Sequence, residues 1–138
     1  MPYNRIVVAL AGKEDEKSVI DEAVRLASKL EAELTVLHVN DRHAGEVSMM
    51  MDSEPLISED FLRSLFRQQG YERLADDIEV MIVVGSSYPK EIARATQEFD
   101  LLVIGHRRRH GFLAAFIDSV DKHMMDLVSC PVLIVPRQ

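Results

Sequence analysis

The sequence has 138 residues and is 47% hydrophobic, with 16 lysines and arginines against 23 aspartates and glutamates for a formal net charge of −7. That length suits one domain spanning 1–138, able to bury about two thirds of its unfolded surface without disulfide or metal staples. The acidic balance argues against nonspecific binding to nucleic acid or to an anionic membrane; no stretch approaches the roughly 18 apolar residues of a membrane span, so no membrane insertion is expected either.

The run Arg5-Ile-Val-Val-Ala-Leu-Ala11, closed by Gly12, is apolar on both faces and rich in β-branched residues, the pattern of a buried parallel strand. Glu14, Asp15 and Glu16 then place negative charge where a helix would start, which the helix dipole favours. Ile20, Ala23, Val24, Ala27 and Leu30 follow at helical spacing. Leu34 to Val39 reads as the second strand. Asn40 to Pro55 is polar, Met-rich and without a clear period, so a loop is expected there. Ser58 before Glu59 and Asp60 is a helix N-cap with acids in the first turn, and Phe61, Leu62, Leu65 and Phe66 form its inward face. Gly70 is the expected stop, with a possible resumption through Leu74.

Ile78 to Val84 is the third strand, closed by Gly85, and Pro89 fits the first turn of a helix reaching about Glu98. Leu101 to Ile104 is the fourth strand, ending at Gly105. A last helix is expected from about Ser119 to Val128, before a fifth strand whose core is Val132 to Val135, bounded by Pro131 and Pro136. Strands alternating with helices imply parallel pairing with right-handed crossovers. The expected fold is an α/β, doubly wound, five-stranded parallel sheet in the order 3-2-1-4-5, with helices on both faces.

The single cysteine, Cys130, cannot form an internal disulfide, and Met-Pro-Tyr-Asn-Arg leads directly into the first strand. Both point to a reducing, cytoplasmic setting. Cys130 itself is expected as a small buried hydrophobe. His38 ends an apolar strand and is expected as a hydrogen-bonded core residue, and His123 as a surface or interface residue. His106 and His110 are four apart, but they fall in a predicted loop rather than on a helix, so no metal site is expected. Met49, Met50 and Met51 are expected to cap a sheet edge or the neighbouring helix. No serine stands in a nucleophile-elbow context, and no catalytic residue is assigned.

Ligands of such sheets bind at the carboxyl ends of the strands where the strand order reverses, here between strands one and four. The loop Gly105-His-Arg-Arg-Arg-His-Gly111 lies there and leads to the helix starting near Ser119. A glycine-flanked turn before a helix N-terminus can receive an anion, and arginines can meet phosphate; the same residues also describe a solvated basic loop.

The segment Asp100-Leu-Leu-Val-Ile-Gly105, the arginine-containing loop with Gly111, Ser119, and Cys130-Pro-Val-Leu-Ile-Val-Pro136 resembles the C-terminal half of the universal stress proteins, and Arg5 to Gly12 with Leu37-His-Val39 resembles the N-terminal half. The nucleotide-binding branch of that family carries Gly, two residues, Gly, nine residues, then Gly and Ser or Thr. Gly105 and Ser119 match the first and last positions, whereas Arg108 and Asp118 stand where the other two glycines would be, and Ala11 stands where that branch has an aspartate. A side chain at 108 obstructs close backbone approach to phosphate. A carboxylate at 118 would repel a polyphosphate by roughly 1–4 kcal/mol at about 4 Å, against which Arg107 and Arg109 could compensate.

The resemblance therefore implies a stress-response binding or signalling module, not an enzyme, of the branch without the glycine motif, and no cofactor. A member binding ATP or AMP is the alternative, with Val39, Gly105, Arg107, Gly111 and Ser119 lining the site. A small nucleotide-dependent hydrolase or transferase is the third reading. The resemblance also implies a homodimer: Val132, Leu133, Ile134 and Val135 form an apolar edge strand with unpaired backbone groups, suited to antiparallel pairing with its copy. A further protein partner is left unidentified.

Overall fold

The computed structural model describes residues 3–13, 15–46, 55–107 and 119–137, and of residues 107 and 119–122 the backbone alone. In chain order the elements are β1 (Arg5–Ala9), α1 (Lys17–Leu30), β2 (Glu33–Asp41), α2 (Glu59–Gln68), α3 (Glu72–Asp77), β3 (Glu79–Gly85), α4 (Tyr88–Ala95), β4 (Leu101–Arg107), α5 (Ser119–Leu127) and β5 (Val132–Arg137). The five strands form one sheet in the order β3-β2-β1-β4-β5, every neighbour parallel, as the alternation of elements predicts. Among the described residues, no helix is long and apolar enough to cross a membrane.

The central strand explains the continuous apolar run. Ile6, Val7 and Val8 are all fully buried because β1 has strands on both sides and helices over both faces. On one face Ile6, Val8, Leu34, Val36 and Val103 pack with Val19, Ile20 and Ala23 of α1 and with Leu62, Leu65 and Phe66 of α2. On the other, Val7, Ala9, Leu37, Leu102 and Ile104 pack with Ile92 of α4 and Met124 of α5. Ser58 caps α2 as its sequence predicts, accepting the Phe61 N–H at 3.1 Å. Phe61 itself lies at the margin of the apolar stripe and is 40% exposed, not inward.

Several boundaries differ from the sequence expectation, and each difference reshapes the carboxyl end of the sheet. β1 stops at Ala9, so Leu10 and Ala11 belong to the turn that follows. β2 continues through Asn40 to Asp41, with Asn40 paired to Val84 of β3. β4 continues to Arg107, so Gly105, His106 and Arg107 are strand residues in register with Val135, Pro136 and Arg137 rather than loop. Pro136 does not stop β5; an edge strand has one side without ladder partners, where a proline is tolerated. The helix after Gly70 does resume, as α3.

At the opposite end of the sheet, the Asp100 carboxylate accepts the N–H groups of Asn4 and Arg5, each at 2.8 Å. These bonds, the larger from Arg5, hold its carboxyl below the usual carboxylate range. They anchor the start of β1 to the residue before β4.

Candidate functional site

The chain leaves β1 through Leu10, whose N–H donates to the Leu37 carbonyl at 2.9 Å, then turns at Gly12 with φ +79°. A Cβ on Gly12 would also lie 3.0 Å from Ile57 Cγ1. Both the left-handed backbone and the close approach call for glycine here. The acids expected to charge the first turn of α1 do something else. Glu14 lies outside the described residues, α1 has no acid in its first turn, and the side chain of its N-cap, Glu16, does not cap it. The Glu16 carboxylate turns back and accepts the N–H groups of Ala11 and Lys13, both at 2.8 Å.

A buried polar chain follows from β2. His38 and Asn40 alternate with Val39 and so share one face of the strand. His38 Nδ1 lies 2.7 Å from the Leu10 carbonyl oxygen, which can only accept, so this nitrogen carries a proton. Nε2 lies 3.1 Å from Asn40 Oδ1. Asn40 makes a two-bond clasp with the backbone of Ile57: its Oδ1 accepts the Ile57 N–H and its Nδ2 donates to the Ile57 carbonyl, each at 3.0 Å. The pair fixes the orientation of the amide, because a flipped amide would set donor against donor and acceptor against acceptor. His38 and Asn40 are 6% and 3% exposed, and the expectation of a hydrogen-bonded core histidine holds.

These parts enclose a crevice of about 330 Å³ at the carboxyl ends of β1, β2 and β3. Ala11, Gly12, Val39 and Ile57 are among the residues lining it, and Lys13, Asp41, Ser86 and Tyr88 add polar groups to the lining. This is within the size range of small-molecule pockets. A Cβ on Gly85, which also lines it, would lie 2.5 Å from Glu91 Cγ, so a larger residue there would have to displace the Glu91 side chain.

At the adjoining ends of β4 and β5, Arg137 crosses above Gly105. A Cβ at Gly105 would lie 2.8 Å from Arg137 Cγ and Cδ and from Val19 Cγ2. Arg137 Nε is 3.8 Å from an Asp15 carboxylate oxygen, and Ser18 Oγ donates to the Pro136 carbonyl at 2.7 Å, fastening the end of β5 to the start of α1.

The sequence pattern that defines the universal stress protein family matches residues 2–136. The chain belongs to that family. Universal stress protein YxiE of Bacillus subtilis is 27% identical over 147 residues, covering 96% of this chain and 99% of that one. Universal stress protein D of Escherichia coli is 26% identical over 144 residues, covering 99% and 97%. Among solved structures, a universal stress protein in complex with cAMP matches with a TM-score of 0.66 at 22% identity over the whole of both chains. One from Archaeoglobus fulgidus matches with a TM-score of 0.64 at 20% identity, covering 98% and 95%. At these identities the structural likeness establishes the fold.

Within this universal stress protein, the residues singled out from sequence fall in different places. Val39 lines the crevice beside Ala11. Gly105 and Arg107 stand on β4, on the other side of β1 from β2. Ser119 begins α5, while Arg108, Arg109, His110, Gly111 and Asp118 lie outside the described residues, as do Met49, Met50 and Met51. Among the described residues, no three His, Cys, Asp or Glu side chains are grouped to hold a metal. Cys130 is half-buried rather than fully buried, and burial pushes its thiol up from the usual range. His123 is exposed. Val132, Leu133, Ile134 and Val135 lie on the edge strand β5, Ile134 38% exposed and Val135 buried.

Glu16, Asn40, Ile57 and Arg137 were not singled out as site residues from sequence. Asn40 had one readable signal, its place two residues beyond His38 on the same strand face. The contacts of Glu16, Ile57 and Arg137 depend on how loops fold back, which periodicity does not encode.

Proposed function

We propose that this universal stress protein is a cytoplasmic, non-enzymatic stress-response module of one domain, acting as a homodimer paired through β5, with a small-ligand crevice that does not hold ATP tightly. The observation that carries this reading is Ala11 in the wall of the crevice. The nucleotide-binding branch has an aspartate at that position, so this crevice lacks a carboxylate contact from the turn that follows its central strand. Arg108 and Asp118, in place of two motif glycines, act in the same direction. The edge position of β5, with Ile134 exposed, supports the dimer.

The second reading is a nucleotide-binding member, using ATP, AMP or a cyclic nucleotide. It is favoured by the match to a universal stress protein solved with cAMP and by a crevice of suitable size at the carboxyl ends of the strands. Calorimetry with ATP and magnesium, AMP and cAMP separates the two. Weak or absent ATP binding is expected; submicromolar ATP binding would overturn the first reading. Incubation with ATP is expected to release no product, and turnover would overturn the non-enzymatic assignment.

A further inference from the structure

A cavity of about 490 Å³ lies at the amino ends of β2 and β3, at the opposite end of the sheet from the crevice, with residues of both α1 and α3 in its lining. Its apolar lining comes from Val24 and Ala27 of α1, from Ala32, Leu34 and Ile78, and from Leu74 of α3. Leu34 and Ile78 are core side chains, 8% and 3% exposed.

Local sequence leaves this space open and tertiary bonds hold it open. α1 ends at Glu31, left-handed with φ +53°, and the chain returns through Ala32, whose N–H donates to the Ala27 carbonyl at 2.9 Å. Ala27, Ser28 and Ala32 therefore line the cavity with short side chains only. The six-residue α3 is fixed by groups outside it. Arg63 Nη1 donates to the carbonyls of Ala75 and Asp76 at 2.7 and 3.3 Å, Arg67 pairs with Asp76 at 2.9 Å, and the Tyr71 hydroxyl donates to Asp21 of α1 at 2.8 Å. A cavity whose walls are held before a ligand arrives needs less ordering on binding.

The charged part of the lining is acidic. Glu33, Asp77 and Glu79 line the cavity, and no lysine or arginine among the described residues does. Nearby acids are paired, Asp76 with Arg67 and Asp21 with Lys17 at 2.6 Å. Among the described residues, the carboxylates of Glu33, Asp77 and Glu79 have no ion-pair or hydrogen-bond partner. Arg5, beside Glu33 in register, is turned to Glu98 at 3.8 Å and lies over the Phe99 ring. Nor are the three acids grouped to hold a metal ion. Unpaired acids spread around an apolar lining suit a cation that carries its own apolar body.

We propose that this cavity is a second ligand site, separate from the crevice, for a small organic ammonium ion whose apolar body lies against Ala27, Leu34 and Ile78 and whose charge is met by Asp77 and Glu79. Its volume is that of a small-molecule pocket. The site does not depend on what the crevice binds. Each exposed carboxylate–ammonium contact is worth roughly 1.5- to 5-fold in affinity, so two should favour the cation over a neutral isostere about threefold or more.

The test titrates the full chain with phenethylammonium and follows the backbone amides by nuclear magnetic resonance. Saturable shifts are expected at Ala27, Ala32 and Ile78 by about 10 mM, with Gly12 and Gly85 of the crevice unmoved. Phenylethanol, the same body without the charge, should bind about threefold or more weakly, and phenylacetate more weakly still. Asp77→Asn combined with Glu79→Gln should weaken phenethylammonium about threefold or more and leave phenylethanol unchanged. Ser28→Leu, at an exposed position of α1, should fill the cavity and abolish the shifts from all three molecules. Absence of saturable shifts at these amides, shifts confined to the crevice, or phenylacetate binding as tightly as phenethylammonium would overturn the proposal. So would undiminished phenethylammonium binding in either folded variant. Should Ser28→Leu fail to fold, the double charge variant, at two exposed positions, decides.

Discussion

Replacing Asn40 with alanine tests whether the clasp on Ile57 holds the wall of the crevice. The substitution removes both bonds to the Ile57 backbone, at 3.0 Å each, and leaves an N–H and a C=O in a place where Ile57 is only 9% exposed. An unsatisfied buried polar group costs about 1–3 kcal/mol. Two such groups beside an open crevice that can admit a water should cost about 2–4 kcal/mol, a large share of the 5–15 kcal/mol typical of a domain. Urea denaturation should therefore show a lower midpoint with an unchanged slope. Hydrogen exchange at the Ile57 amide should quicken more than exchange at the centre of β1, because the segment before α2 can detach before the sheet opens. Asn40→Asp is the informative companion: it keeps an acceptor for the Ile57 N–H and loses the donor to the carbonyl, so an intermediate loss is expected. A loss below about 0.5 kcal/mol in Asn40→Ala, with the Ile57 amide still protected, would refute the reasoning. It would mean that packing of the Ile57 side chain against Gly12 holds this wall by itself.

Three further outcomes are expected. Asp100 titrates below its ordinary value of 3.8 in the folded chain, so its contribution is complete above that value and is lost as pH falls through the lower folded one. Asp100→Asn should accordingly flatten the acid limb of the stability curve below about pH 4, and an unchanged pH dependence in chemical denaturation would count against this anchor. Gly105→Ala should cost about 1–3 kcal/mol through overpacking against Arg137 and the buried Val19; thermal melts showing no loss would remove the packing explanation for that glycine. Leu133→Lys and Ile134→Lys should each weaken the proposed dimer by placing charge in the seam, read by light scattering at micromolar concentration. A wild-type monomer, or an undiminished dimer in both folded variants, would refute pairing through β5.

The architecture was legible from local pattern. Apolar runs such as Ile6 to Leu10 can be buried on both faces only in a parallel sheet covered twice, and alternation with amphipathic helices leaves few topologies. The Ser58 cap and the placement of His38 were equally readable, since both depend on neighbours a few residues away or on the same strand face. Element ends were less so, because they are set by partners. β4 runs on to Arg107 since β5 runs beside it to Arg137, and a proline that would stop a central strand is accommodated at an edge.

The site itself was only half visible. Gly105 fits a phosphate-loop motif in sequence, yet its lack of a side chain is used by Arg137 and Val19, which arrive from distant segments. Glu16 fits a helix start charged to suit the dipole, yet its carboxylate folds back onto Ala11 and Lys13. Period and composition, taken alone, determined which segments form strands and helices and that the strands pair in parallel. Only the tertiary structure decided which groups fill the carboxyl end of the sheet, because a hydrogen bond from a loop is chosen by three-dimensional distance and competing partners, and neither is written in residue spacing.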